Sequence, residues 1–247
     1  VMRALLFDPF AGISGDMTVA ALIDLGLSTE WLEAFIARLD LGNVKLVHER
    51  VNRRGINCAH IRFEVPEQKA HRHLKHIIAI LDAAPVPDRV RELANDAFRR
   101  IAVAEAAVHG TTIEKVHFHE VGALDAILDV VCVMASVVVL GFEEFYTRPV
   151  ALGSGWITIE HGNYPVPAPA TMRLLEGLPV IDSQLEGECT TPTGAAILAT
   201  LTAGKHPPAR LRAGRNGFGA GTRDPQDRPN CLRLIACEIE PAAEQLY

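Results

Sequence analysis

Ala4-Leu5-Leu6-Phe7-Asp8-Pro9-Phe10-Ala11-Gly12-Ile13-Ser14-Gly15-Asp16-Met17 is the stretch on which the fold turns. Residues 4–7 form a short buried strand by their unbroken apolar run. A glycine-bearing loop follows, and a helix then runs from about Ser14 to Leu25, closed by Gly26 as a C-terminal cap. Such a strand–loop–helix passage leaves unpaired backbone N–H groups at the helix start, where phosphate or carboxylate is welcome. Asp8, at the carboxyl end of the strand, would sit beside a bound anion and could hold a metal. The plainer reading makes Ser14 an N-cap and Asp16 a partner of the helix dipole.

Outward from this unit, a second helix starts near Ser28, with Glu30 and Glu33 in its early turns. Val44 to Asn52 and Ile56 to Val65 alternate as two strands joined at Arg53-Arg54-Gly55. His71 to Ala83 and Asp88 to His109 are amphipathic helices separated by Pro85 and Pro87. Ala126 to Leu140 is a buried helix ending near Gly141: it is too short to span a bilayer and contains Asp129. Val150 to Leu152 and Trp156 to Ile159 read as strands, and Pro165, Pro167 and Pro169 force an extended segment before a short helix through Leu174 and Leu175. Thr191 as N-cap with Pro192 opens a further helix to about Leu201. Residues 208–240 read as strands around a loop, Gly217-Phe218-Gly219-Ala220-Gly221, taken as a bulged hairpin because no helix follows to make it a nucleotide fingerprint. The expectation is a single compact α/β domain over residues 1–247, a mixed sheet with flanking helices, with an α+β arrangement left open.

The 247 residues are 49% hydrophobic and 22% charged, which suits one sizeable hydrophobic core. A formal net charge of -6 and the lack of a dense Lys/Arg run argue against nucleic acid as a partner. No signal-peptide pattern and no membrane span are read, and five cysteines without a C-x-x-C pair fit a reducing, cytoplasmic setting. A homo-oligomer is the expected assembly.

Four more segments carry candidate chemistry. His71-Arg72-His73-Leu74-Lys75-His76 gathers imidazoles on one helix face or, more simply, is a solvated face. His117-Phe118-His119-Glu120 would put two imidazoles on one strand face, with Glu120 at its end. Asp125 and Asp129 follow at i,i+4 on an apolar helix, where buried carboxylates need a partner or a cation. The competing reading has His119 bonding Asp125 to lock a loop. His161 to Thr171, with Tyr164, reads as a rigid site lip or a stiff connection. In Glu186-Gly187-Glu188-Cys189-Thr190-Thr191-Pro192-Thr193-Gly194, hydroxyls surround a second helix start, and Cys189 would be a soft ligand or reactive sulfur if exposed.

Taken together, residues 7–17, 117–125, 161–169 and 187–194 resemble the nickel-insertion proteins of the LarC family, and the resemblance covers essentially the whole chain. It implies insertion of Ni(II) into pyridinium-3,5-bisthiocarboxylic acid mononucleotide by a CTP-consuming nickel chelatase of the lyase class. The product would be the nickel-pincer cofactor of lactate racemase, and the racemase apoenzyme a partner. Mn(II) or Mg(II) would assist the nucleotide chemistry through a C-terminal domain or subunit, and this chain corresponds to the N-terminal portion.

Within the matched motifs, Asp8, Asp16, Glu120 and Asp125 are the candidate catalytic groups. Ser14, Gly15, Thr190, Thr191, Thr193 and Gly194 are candidates for binding the precursor, and His71, His73, His117, His119 and His161 for the metal. Two alternatives stand beside this. One is a non-enzymatic nickel metallochaperone using His71, His73, His117 and His119. The other is a metal-dependent phosphohydrolase using Asp8, Asp16 and His119.

Overall fold

The computed structural model describes residues 2–66, 72–118, 122–159 and 162–239. Strand β1 (Met2–Asp8) leads into helix α1 (Gly15–Leu25), α2 (Thr29–Arg38) and the hairpin β2 (Lys45–Arg53) and β3 (Ile56–Glu64). Helices α3 (Leu74–Ala83), α4 (Asp88–His109) and α5 (Leu124–Val139) follow, then β4 (Glu144–Thr147). Short strands β5 (Val150–Ala151), β6 (Gly153–Ser154), β7 (Trp156–Ile159) and β8 (Gly162–Pro165) precede α6 (Pro169–Leu174). Last come β9 (Val180–Ile181), β10 (Gly187–Glu188), α7 (Pro192–Thr202), β11 (Leu211–Ala220) and β12 (Cys231–Ile239).

The main sheet runs β2-β3-β11-β12-β1-β4. It is mixed: β1 is parallel to β4 and antiparallel to β12, and β11 meets β3 in parallel. This is the expected α/β domain with helices against the sheet. Residues 4–8 of β1 are buried throughout because strands cover both its edges and helices its core face. Leu5 and Phe7 enter the large core shared with α1, α4, α5 and α7, while Ala4 and Leu6 join a small cluster on the opposite face. Helix α5 is buried along almost its whole length, as its apolar sequence requires. No helix among the described residues is long and apolar enough to cross a membrane. All five cysteines are free and buried.

Local sequence accounts for the boundaries. Ser14 and Ser28 cap α1 and α2, accepting from the backbone N–H of Met17 and Trp31. Helix α3 begins three residues later than the histidine-rich sequence suggested, because His73 is its N-cap. The glycine run 217–221 is a correction. Gly217 and Gly219 lie inside β11, paired with Leu234 and Leu232, and the connection to β12 is residues 221–230. A bulge does occur, between Ala213 and Asn216. The cause is a close helix–strand approach: a Cβ at Gly219 would fall 1.9 Å from the Met17 carbonyl oxygen, and one at Gly217 2.3 Å from that of Ala21. Glycine is here a packing residue, letting α1 lie directly on the sheet. Asp24 of α1 fastens this contact by accepting from the Phe218 N–H at 2.7 Å.

Candidate functional site

The two helix starts singled out from sequence are neighbours. Ile13 and Thr190 form a parallel bridge, in which the Ile13 N–H donates to the Cys189 carbonyl and the Thr191 N–H to the Ile13 carbonyl, each at 3.0 Å. That stitch sets Ser14 and Thr191, the N-caps of α1 and α7, side by side. Each hydroxyl accepts from its own helix, Ser14 from the Met17 N–H at 3.4 Å and Thr191 from the Gly194 N–H at 3.1 Å. The start of α5 is the third member. Asp129, one turn into α5, presses on Gly15, where a Cβ would lie 2.4 Å from the Asp129 Cβ.

A cavity of about 340 Å³ opens where these three helix starts converge. Its walls include Ser14, Asp16, Asp125, Asp129, Thr191 and Thr193, with Glu188 from β10, Arg62 from β3 and Thr222 completing the rim. The Ser14 hydroxyl donates to Asp16 Oδ1, and Asp125 Oδ1 accepts from the Ala126 N–H at 2.8 Å. Burial holds the Asp129 carboxyl well above the usual carboxylate range. The nearby charges of Asp16 and Asp125 push in the same direction, and a hydrogen bond from the Asp16 backbone offsets part of the rise. Its Oδ1 is buried with no hydrogen-bond partner.

The site is therefore bipolar: helix starts favour anions, while the acidic side chains favour cations and can take up protons. Among the described residues, no group of three or more His, Cys, Asp or Glu side chains is arranged to hold a metal ion.

Of the residues expected from sequence, the cavity gathers Ser14, Gly15, Asp16, Asp125, Thr191 and Thr193. Asp8 is elsewhere engaged, held by the guanidinium of Arg233 from the neighbouring strand. Thr190 is fully buried and donates to the Ala151 carbonyl at 2.9 Å, and Gly194 packs against the Ile13 carbonyl. Both support the walls without lining them. The condition attached to Cys189 fails: it is 7% exposed, its thiol lies 3.6 Å from the Gly187 carbonyl, and burial raises its pKa. His71, His119, Glu120 and His161 lie outside the described residues.

His73 and His117 do meet. Arg72 and Phe118 form an antiparallel bridge, and the two imidazole ring centres stand 4.0 Å apart. His117 is exposed while Val116 and Phe118 are buried, as the strand-like alternation required. His73 Nδ1 lies 3.0 Å from the Val116 carbonyl, which anchors the ring beside that backbone. His76 instead accepts the His73 N–H at Nδ1. Arg72 also bonds the Gly122 carbonyl, two residues before α5, so this pair borders the helix that carries Asp125 and Asp129. Sequence reasoning put neither Asp129 nor Glu188 among the site groups, although the i,i+4 spacing of Asp125 and Asp129 signalled a shared face. Arg62 and Thr222 carry no local signal.

The fold and cavity define an α/β domain with an acid-lined cavity between three helix starts. The profile of the nickel insertion protein family matches residues 5–246, and the chain belongs to that family. It is 49% identical over 241 residues to a "Putative nickel insertion protein" of Geotalea daltonii, covering 96% of this chain and 61% of the relative. A relative of the same name from Geobacter sulfurreducens is 45% identical, covering 99% and 63%. The "Pyridinium-3,5-bisthiocarboxylic acid mononucleotide nickel insertion protein" of Desulfitobacterium hafniense is 42% identical, covering 96% and 59%. The chain thus spans about three fifths of the length of these relatives. No solved structure matches it significantly.

Proposed function

We propose that this chain carries the substrate-handling part of an enzyme that inserts Ni(II) into pyridinium-3,5-bisthiocarboxylic acid mononucleotide. The observation that carries the reading is the cavity in which the starts of α1, α5 and α7 meet three aspartates. The phosphate and thiocarboxylates of the precursor suit the amide-rich helix starts at Ser14 and Thr191. A metal gripped by sulfurs at ring positions 3 and 5 lies over position 4, whose hydrogen must leave as a proton for a metal–carbon bond to form. Asp16 and Asp125 are the bases within the cavity that would take that proton, and a protonated Asp129 beside them would not compete for the metal. His73 and His117, bordering α5, would hold incoming nickel loosely enough for sulfur to take it. CTP with Mn(II) or Mg(II) would act through the further part of the longer proteins, and the product would serve lactate racemase in the cytoplasm.

The test is nickel incorporation into the precursor, followed by mass, with the longer protein carrying Asp16→Asn and Asp125→Asn. The expected result is a loss of at least about 100-fold, the scale of general-base removal, with the circular dichroism spectrum unchanged. Normal incorporation by the double variant would end this assignment. A non-catalytic nickel chaperone is the second reading, favoured by the 4.0 Å imidazole pair. Under it, His73→Ala would abolish nickel binding while no variant of the cavity mattered. The phosphohydrolase reading loses Asp8 to its ion pair with Arg233.

A further inference from the structure

Helices α1 and α5 each run from the acid-lined cavity to a second cavity, of about 610 Å³, at their other ends. Their first turns bring Asp16 and Asp125 to the first cavity, and their C-caps, Gly26 and Leu140, line the second. With 11 residues, α1 alone separates the two by about 16 Å. The second cavity has the opposite charge. Arg3, Arg212 and Arg215 line it, and Glu238 is the one acid among the described residues that do so, in a chain whose net charge is -6.

The three guanidiniums are held differently. Arg3 donates to the Leu140 carbonyl and lies 5.2 Å from the centre of the Phe142 ring, which fixes it against the end of α5. Arg212 approaches Glu238 only to 4.0 Å, with the two side chains 75% and 53% exposed, so that pair is loose. Arg215 has no hydrogen bond or ion pair among the described residues. Its placement is specified all the same. Strand β11 carries one extra residue between Ala213 and Asn216, so Gly214 and Arg215 together face Ala236 of β12. This bulge aims Arg215 across the end of α1, where a Cβ at Gly26 would lie 3.0 Å from its Nη1. Satisfying a helix end accounts for Arg3. It does not account for Arg215, which donates to no carbonyl there.

A phosphomonoester is dianionic, and its three oxygens can be shared among several guanidinium forks, whereas a carboxylate fills one. The cavity falls within the roughly 300–1,000 Å³ of small-molecule sites, more than a bare phosphate fills, and Leu25 and Phe142 give it an apolar wall.

We infer that this cavity binds a small phosphomonoester, with the phosphate among Arg3, Arg212 and Arg215 and the organic body against Leu25 and Phe142. The ligand is distinct from the precursor placed between the helix starts, and the inference does not depend on the nickel-insertion reading.

Naphthyl phosphate is the probe, titrated by calorimetry at about 0.15 M salt so that loose surface pairing is screened. Saturable binding is expected, weakened about tenfold by Arg215→Gln. Because Arg215 bonds nothing in the free protein, this variant should keep the parent's melting temperature. Should it melt early, Arg212→Gln gives the same reading, since its pair with Glu238 is exposed. Naphthol, which lacks the phosphate, should not bind. No saturable binding, an affinity unchanged in Arg215→Gln and Arg212→Gln, or naphthol binding as well as its phosphate would each overturn the inference. Equal weakening by Thr191→Ala would overturn it too, by placing the probe in the acid-lined cavity. So would capture by phosphatidic acid vesicles without binding of the probe, since the phosphate would then be a lipid headgroup.

Discussion

Asp129 is the residue on which the character of the site depends. Its neighbours are apolar core on one side and the carboxylates of Asp16 and Asp125 on the other, so the folded chain favours its protonated form. Because the folded state holds this proton more tightly than the unfolded chain, the group's drag on stability grows as pH rises above the ordinary carboxylate range. At a pH below that range both states are protonated and the drag vanishes. Asp129→Asn, which keeps an acceptor for the Asp16 N–H, should therefore raise the melting temperature at neutral pH. At this chain length the rise is roughly 2–4 °C for each kcal/mol gained. The advantage should fade as the melting scans are taken down towards pH 4, and an advantage independent of pH would contradict the assigned cause. Some of this was legible in the sequence: two aspartates four residues apart on an apolar helix must share a face and need company. What was not legible is that their company is the start of α1, brought there by tertiary packing against Gly15.

At the scale of elements, the site is made by helix starts, and their capping residues hold it open. Thr191 accepts from the Gly194 N–H, and Pro192 supplies the preset backbone of the first turn. Thr191→Ala should cost about 1 kcal/mol of stability, read by urea denaturation, and Thr191→Ser should restore most of it. Gly15→Ala is a sharper test of how α1 meets α5. Its methyl group would intrude on Asp129, so either the helices separate or the aspartate turns away, at about 1–3 kcal/mol. A melting temperature equal to that of the parent would show that the contact is slack. Elements governed by local chemistry were readable: α4 runs from Asp88 to His109 and α7 starts at Pro192, as proline, caps and periodicity dictated. The glycine run of β11 was misread because its glycines answer to α1, more than 190 residues away, and not to a local turn.

For the whole molecule, the mixed sheet joins strands far apart in sequence, β1 with β12. β1 pairs along its length with β12, Met2 with Ile239 through Asp8 with Arg233, so the strand that leads into the site is seated by residues more than 220 positions away. Periodicity could supply the fold class, since strands alternating with helices imply helices on a sheet. It could not supply the order β2-β3-β11-β12-β1-β4, because pairing between distant strands leaves no trace in a local window. Asp8, read from sequence as a candidate catalytic group, shows the same limit. Its position at the strand end was right, but its partner arrives from β12. The Asp8–Arg233 pair is thus a clasp between β1 and β12. Arg233→Ala should leave a carboxylate only 5% exposed without its counter-charge. The expected cost is on the order of 2–3 kcal/mol, below the 3–5 typical of fully buried pairs because the Arg233 side chain is 38% exposed. Asp8→Asn combined with Arg233→Met should recover much of that loss, since no uncompensated charge then remains. If the double variant is no more stable than Arg233→Ala in the same denaturation assay, the aspartate is not held there by this clasp. Its place beside the loop to Ser14 would then have to be explained by the site itself.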